Sequence, residues 1–501
     1  MEVRSVMEEE KYVNYKISIM GVWEAEENNQ AFIAIDDFEF YPTDHCDILP
    51  PEAGGGTTTT THAPCTDMEF QCNDGTCIPD YKVCNFNVDC DDGSDEQECP
   101  TFYDFEECSI PADCFWEVAE GRGLEWVIGT GSEVTAANET NGPYSDRNND
   151  TSYHFLYVRP LEGSGAGFTE IVSPLYQNSA SECYFSFYVY LADWEPPNHP
   201  KLFPLMSLND MGKLIKLDEI DLSFVENGMW TKVEIGIGRH RDQFKLLFNI
   251  ENNNNDNRTM RAGVAIDDVS FFACGPPPVQ EECLGTEFHC EVSKGCILKT
   301  WLCDLQDDCG DNSDEAEGCE AYHRTDFEDP LHPFGFFTQA EDGFEPGDFV
   351  WGNFNGSTGY RGTGPPFDHT RYDSDGHYLM ISSELGLPGD HAWLWSPLIG
   401  PSSGSCVLRF YSHMHGHHLG NLTVYIRTKA DGAMDAVHTI NGIEEMDVNR
   451  WRRVEVRLEK EIDFHVIIEA NVGSPGDSDI AIDDVSFTPE CKYVKILTYK
   501  N

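Results

Sequence analysis

Two acidic runs, Asp89-Cys90-Asp91-Asp92-Gly93-Ser94-Asp95-Glu96 and Asp308-Cys309-Gly310-Asp311-Asn312-Ser313-Asp314-Glu315, hold the side chains with the most definite chemistry in this chain. Carboxylates this dense repel one another unless a hard cation gathers them, and calcium takes roughly six to eight oxygen ligands. Each run closes a window of six cysteines, at 65, 72, 77, 84, 90 and 99 and at 283, 290, 296, 303, 309 and 319. Windows of about 35 residues cannot bury a self-sufficient core, so staples or metals are needed. Nineteen cysteines in all point to an oxidising, extracellular compartment. Disulfides there would consume the thiolates that zinc prefers, which leaves calcium as the cation these runs ask for.

Other groups carry weaker signals. Asp267 and Asp483 share strand parity with Val269 and Phe271, and with Val485 and Phe487, and are expected to face inward, where a carboxylate needs a cation or donors. A second kind of calcium site and a turn-capping role are equal readings of that pair. His413, His415 and His417 recur at period two, as zinc ligands could. No carboxylate accompanies each ring to orient it, so surface strand residues are the expectation. Sequons at Asn138, Asn149, Asn257, Asn355 and Asn421 suit glycosylation of a secreted surface. No Gly-x-Ser-x-Gly, His-Glu-x-x-His or phosphate-loop pattern occurs, which points away from an enzyme.

The elements that must position these groups form a repeat. Ala-Ile-Asp-Asp occurs at 34–37, 265–268 and 481–484, each time followed by alternating apolar residues and a cysteine, Cys46, Cys274 or Cys491. Large units at 1–46, 100–274 and 320–491 thus alternate with small modules at 65–99 and 283–319. Residues 47–64, with Pro50-Pro51, three glycines from Gly54 and five threonines from Thr57, read as a flexible linker; 275–282 is a stiffer Pro-rich one and 492–501 a tail. Segments such as 183–190, 451–458 and 464–470 are short, β-branched or aromatic and bounded by Gly, Asn and Asp, the pattern of strands. The acids number 89 against 32 bases, a formal charge of -57. That balance repels phosphate backbones and excludes nucleic acid, while cations, basic proteins and calcium-bearing surfaces remain suitable partners.

The six-cysteine windows, each with an Asp-x-Ser-Asp-Glu near its end, resemble low-density-lipoprotein-receptor class A modules. The resemblance implies pairing of first with third, second with fifth and fourth with sixth cysteine: Cys65–Cys77, Cys72–Cys90 and Cys84–Cys99, then Cys283–Cys296, Cys290–Cys309 and Cys303–Cys319. Spacing alone leaves 15 pairings per module. It also implies one calcium per module. In the second, the ligands would be the side chains of Asp304, Asp308, Asp314 and Glu315 and the carbonyls of Trp301 and Gln306. In the first they would be Asn85, Asp89, Asp95 and Glu96 with the carbonyls of Lys82 and Asn87. Such modules bind a partner's lysine between an aromatic ring and the calcium-ligating carboxylates; Trp301, Asp304 and Asp308 supply that set. Lys82 and Asn85 replace the ring and one acid in the first module, which is therefore expected to act mainly as a spacer.

The large units share Asp-Phe-Glu, Gly-Pro, a cysteine-led strand and Ala-Ile-Asp-Asp-Val-Ser-Phe, and resemble the MAM domain, a jelly-roll sandwich of adhesion and receptor proteins. The implied disulfides are Cys108–Cys114, Cys183–Cys274 and Cys406–Cys491. Cys46 is left over, and its partner is expected upstream of residue 1, in the missing part of a truncated MAM domain, a link between chains being the alternative. No secretory signal follows Met1, and no apolar stretch approaches a membrane span of roughly 20 residues. The expected fold is mainly β, with MAM-type jelly-roll sandwiches alternating with disulfide-rich, calcium-binding class A modules. The expected function is non-enzymatic adhesion or ligand binding, in a secreted protein or an ectodomain, toward a basic ligand or an extracellular-matrix or cell-surface protein. Two alternatives are an acidic matrix protein that binds calcium mineral and the non-catalytic recognition region of a membrane-bound protease.

Overall fold

The structure, a computed structural model, describes residues 65, 69–79, 82–96, 99, 102–106, 116–119, 121–136, 142–161, 167–192, 200–209, 214–220, 228–252, 263–280, 282–339, 347–356, 363–416, 418–428, 432, 434–442, 448–473 and 478–494. The expectations for residues 1–64, including Cys46 and the linker, and for Cys108, Cys114, Asn138, Asn257 and His417 lie outside them. The architecture is mainly β. Among the described residues, eight disulfides join Cys65 to Cys77, Cys72 to Cys90, Cys84 to Cys99, Cys183 to Cys274, Cys283 to Cys296, Cys290 to Cys309, Cys303 to Cys319 and Cys406 to Cys491.

Each large unit is a two-sheet sandwich. In the last one, a sheet runs in the order Gly352–Asn355, His377–Ser382, Ser478–Phe487, Ser402–Gly416, Arg452–Lys460, and faces a second of order His391–Trp395, Phe464–Asn471, Leu422–Thr428, Met434–Ile440. Alternate residues such as Leu379, Ile381, Leu408, Phe410 and Val485 meet Leu394, Val424, Ile426, Val466 and Ile468 between them, as period-two strands with one buried face require. The middle unit pairs Leu214–Lys216, Lys201–Leu208, Phe244–Asn252, Gly167–Val172 and Glu117–Val118 in one sheet. The other contains Trp230–Gly236, Tyr184–Ala192, Gly263–Phe272, His154–Pro160 and Leu124–Thr130.

The two sandwiches are not strung apart. Val448–Asn449 of the last one adds to the Trp230–Gly236 edge as a parallel strand. One apolar cluster joins Phe185, Phe187 and Phe248 of the middle unit to Phe367, Tyr372, Tyr378, Met380, Tyr411 and Trp451 of the last. Tyr378, Met380 and Tyr411 lie on the outer face of the last unit's sheet, so this sheet is covered on both sides. Contact is so close at Gly238, where φ is +71°, that an added Cβ would fall 1.8 Å from the Tyr372 ring. This packing corrects the histidine expectation. His413 is not a surface residue but fully buried, with Nε2 2.8 Å from Asn449 Oδ1 and its ring against Trp451; the middle unit covers the face that alternation alone assigns to solvent.

The aspartate parity also differs from expectation. Asp267 and Asp483 are buried, but on the face opposite Val269 and Val485: they pair with Tyr188 and Tyr411, whose side chains leave the sandwich interior. Asp268 and Asp484 adopt φ of 52° and 46°, and the ladder register shifts there. Such a bulge inserts one residue and reverses the alternation beyond it.

Candidate functional site

One backbone frame presents the acidic side chains of both small modules. A left-handed residue before and after the first acidic position, Cys84 and Phe86 or Cys303 and Leu305, turns the loop back on itself. Asn85 N donates to Glu96 Oε1 at 2.7 Å, and Asp304 N to Glu315 Oε1 at 2.6 Å. Asp89 N donates to Asp95 Oδ2 at 2.7 Å, and Asp308 N to Asp314 Oδ2 at 2.8 Å. The side chain of Asn85 or Asp304 in turn accepts from Asn87 N or Gln306 N. Trp301 ends a short 3-10 turn, Lys299–Trp301, just before the second loop.

The frames agree, but their electrostatics do not. In the first module Asp89 is met by the Lys82 ammonium and, at 3.1 Å, by the Asn85 amide, while both Asp95 oxygens accept backbone N–H groups. In the second, Asp304 Oδ2 and Asp314 Oδ1 are buried and accept no hydrogen bond. Burial pushes Asp314 and Glu315 up to about 7 and Asp304 well above the carboxylate range, since each charge has lost its water. A buried oxygen that accepts no hydrogen bond, as Asp314 Oδ1 is, suits a hard cation. The four carboxylates are nevertheless spread. Among the described residues, the set of three potential ligands with donor atoms within 4.8 Å of one another is Cys283, Glu287 and Cys296, and its sulfurs form a disulfide.

Trp301, Asp304 and Asp308 do come together, around a basic group that sequence reasoning missed: Arg453 of the last sandwich. Its guanidinium lies 4.4 Å from the Trp301 ring centroid. Nη2 donates to both Asp308 oxygens at 2.7 Å, Nη1 is 3.4 Å from Asp304 Oδ2, and Nε is 3.3 Å from Glu182 Oε1 of the middle sandwich. Nearby, the buried Arg409 donates to the carbonyls of Thr300, Leu302 and Cys303 at 2.6–2.9 Å. Arg239 and Arg241 hold Asp307 from the middle unit, and Ser181 Oγ donates to Asp308 at 2.8 Å. The second module is thus wedged between both sandwiches. The first rests on the middle one, with Phe86 stacked 4.5 Å from Tyr176 and the Asn85 carbonyl accepting Gln177 N.

Behind the bulges lie further buried acids. In the last sandwich the Gly364-Pro-Pro-Phe-Asp-His loop covers them: His369 N donates to Asp483 Oδ2 at 2.8 Å, and Thr370 Oγ1 and Gln306 Nε2 donate to Asp484 at 2.7 Å. Asp368 is pushed up to about 7 by burial despite donors from Arg371 and Asp373 N. In the middle sandwich Arg147, at the position of His369, holds Asp268, and Asp267 is pushed up to about 8 by burial and by the Asp268 charge. Protein donors therefore meet the closing-motif aspartates in both units. Asp268, Asp484 and Asp368 went unnoticed in the sequence, although the repeated Gly-Pro-x-x-Asp before a basic residue is a usable signal.

The MAM domain (meprin/A5/mu) family model matches residues 103–283 and 325–492, and the low-density lipoprotein receptor class A model matches residues 63–99 and 281–319. The first covers more than half of the chain, and the chain belongs to the MAM domain family, with one class A module ahead of the first matched MAM unit and one between the two. MAM domain-containing glycosylphosphatidylinositol anchor protein 1 of Gallus gallus is 34% identical over 126 residues, 25% of this chain and 13% of that protein. Neuropilin-1 of Xenopus laevis is 29% identical over 140 residues, 28% of this chain and 14% of that one. MAM domain-containing protein 2 of Homo sapiens is 35% identical over 138 residues, 27% and 19% respectively. These matches span less than a fifth of each relative. Among the described residues no helix is long and apolar enough to cross a membrane.

Proposed function

We propose that this chain is a non-enzymatic extracellular adhesion or ligand-binding protein whose class A modules are ordered by calcium. The observation that carries the calcium reading is Asp314 Oδ1, buried and accepting no hydrogen bond, in the loop where the class A resemblance puts the ion. Asp304, Asp308, Asp314 and Glu315, with the carbonyls of Trp301 and Gln306, would hold it. Bound there, calcium would offset the mutual repulsion of these carboxylates and the burial that disfavours the charged forms of Asp304, Asp314 and Glu315. Asn85, Asp89, Asp95, Glu96 and the carbonyls of Lys82 and Asn87 offer the first module a weaker version, because the neutral Asn85 stands where the second module has Asp304. Exposed sequon residues Asn149, Asn355 and Asn421 suit a secreted protein or an ectodomain. The partner proposed is an extracellular-matrix or cell-surface protein.

At millimolar calcium and a dissociation constant of about 0.1–1 mM, each site adds about 0.4–1.4 kcal/mol of stability. Calorimetric titration of the full chain with calcium should show two classes of site, with Asp314→Asn removing the tighter. An isotherm that Asp314→Asn leaves unchanged would sink the reading. Beads coated with the chain should cluster on cells or matrix in calcium and disperse in EDTA.

A further inference from the structure

We propose that the basic group recognised by the second class A module is Arg453 of the same chain, so that the module clamps the two MAM sandwiches together and is closed to an external lysine while the clamp holds. The proposal rests on reading residues 283–319 as a class A module and deepens the function above. An aromatic face, paired carboxylates and a desolvated cation between them form a complete recognition site. Arg453 fills all of it: the Trp301 face, both oxygens of Asp308 and the open side of Asp304. Its side chain is only 9% exposed, and Tyr411, with its ring centroid 5.3 Å away, and Glu182 shut the remaining sides. An incoming ammonium has no path to the ring without displacing the guanidinium.

The internal repeat supplies an independent argument. In the last sandwich Arg453 stands opposite Tyr411, which stands opposite Asp483; in the middle one Lys232 stands opposite Tyr188, which stands opposite Asp267. Lys232 is therefore the counterpart of Arg453, and it pairs with Glu234 on the surface. By the same register Ser186 is the counterpart of Arg409, since each faces the serine of the closing motif. The module preceding the middle sandwich has Lys82 for Trp301 and Asn85 for Asp304. Both halves of the clamp are thus altered together in one module–sandwich pair and complete together in the other. A free ligand site on the module would leave the sandwich position unconstrained.

Phenylglyoxal labelling of the full wild-type chain, read by peptide mass mapping, tests this without a variant. Arg241, whose side chain is 63% exposed, is the internal reference. Arg453 should label at least tenfold more slowly than Arg241 in 1 mM calcium; equal rates would overturn the proposal. Asp308→Asn should bring the two rates closer. In a second arm, a peptide with one lysine among uncharged residues is titrated onto the wild type and onto Arg453→Ala, each with and without Trp301→Ala. Binding that depends on Trp301 should appear only after Arg453 is removed, and Trp301-dependent binding to the wild type would overturn the clamp. Repeating the labelling in EDTA separates the two readings: protection in EDTA keeps the clamp even if the calcium titration fails, whereas rapid labelling of Arg453 in both buffers rejects the clamp and leaves the calcium reading standing.

Discussion

Replacing Arg409 by methionine should release the second class A module from the last MAM sandwich. Arg409 is 2% exposed and donates to three carbonyls of residues 300–303 and to Ser486 Oγ. Methionine fills similar volume but leaves three buried carbonyls without donors, at about 1–3 kcal/mol each. Against this, losing a buried cation returns part of its desolvation cost, so the net falls below the gross sum, near the roughly 3–5 kcal/mol typical of breaking a buried charged partnership. That corresponds to an opening equilibrium raised by about two to three and a half powers of ten. Native-state hydrogen exchange on the full chain reads it directly: amides of residues 299–305 should exchange faster by that factor, while those of Leu422–Thr428, in the far sheet, should change little. A shift below about tenfold at 299–305 would refute the reasoning, since it would mean that water or side chains replace the guanidinium at almost no cost.

Gly238→Ala should separate the sandwiches, because its Cβ meets the Tyr372 ring at 1.8 Å. Gly389→Ala, with φ of +89° and open space around it, carries the backbone strain alone and should retain the compact scattering profile that Gly238→Ala loses. Burial, with help from His415, lowers His413 to about 3 from the ordinary histidine value of 6.5, so the folded state takes up its proton later than the unfolded chain. Its contribution is complete above pH 6.5 and falls by about 1.4 kcal/mol per pH unit as the pH drops toward 3. Relative to His413→Gln, the wild type should therefore lose about 2 kcal/mol between pH 6.5 and 5 in denaturant titrations, and parallel profiles would contradict this. Removing Cys406–Cys491, which spans 85 residues, as a double alanine variant should cost about 4–5 kcal/mol by loop entropy. A much smaller loss would indicate that the unfolded chain keeps these strands close.

Local sequence determined the parts whose physics is local. Six closely spaced cysteines and a terminal acidic run specify a module too small to fold unstapled, and short alternating apolar segments between turn residues specify strands of a two-sheet core. The repeated Ala-Ile-Asp-Asp marked equivalent strands in both sandwiches, and Trp301, Asp304 and Asp308 were legible as one basic-group site. What fills that site was not legible. Arg409 and Arg453 lie on the outward face of their strands, opposite to inward Leu408, Phe410 and Val454, and strand alternation assigns such positions to solvent. Only the docking of one domain on another turns that face into an interior, burying Arg453, His413 and Tyr411 together. The bulge at Asp268 and Asp484 escaped for a related reason: a single left-handed residue, invisible to a period-two pattern, moves the preceding aspartate to the other face. Periodicity reports which residues share a face, and tertiary packing decides whether that face meets water or another part of the chain.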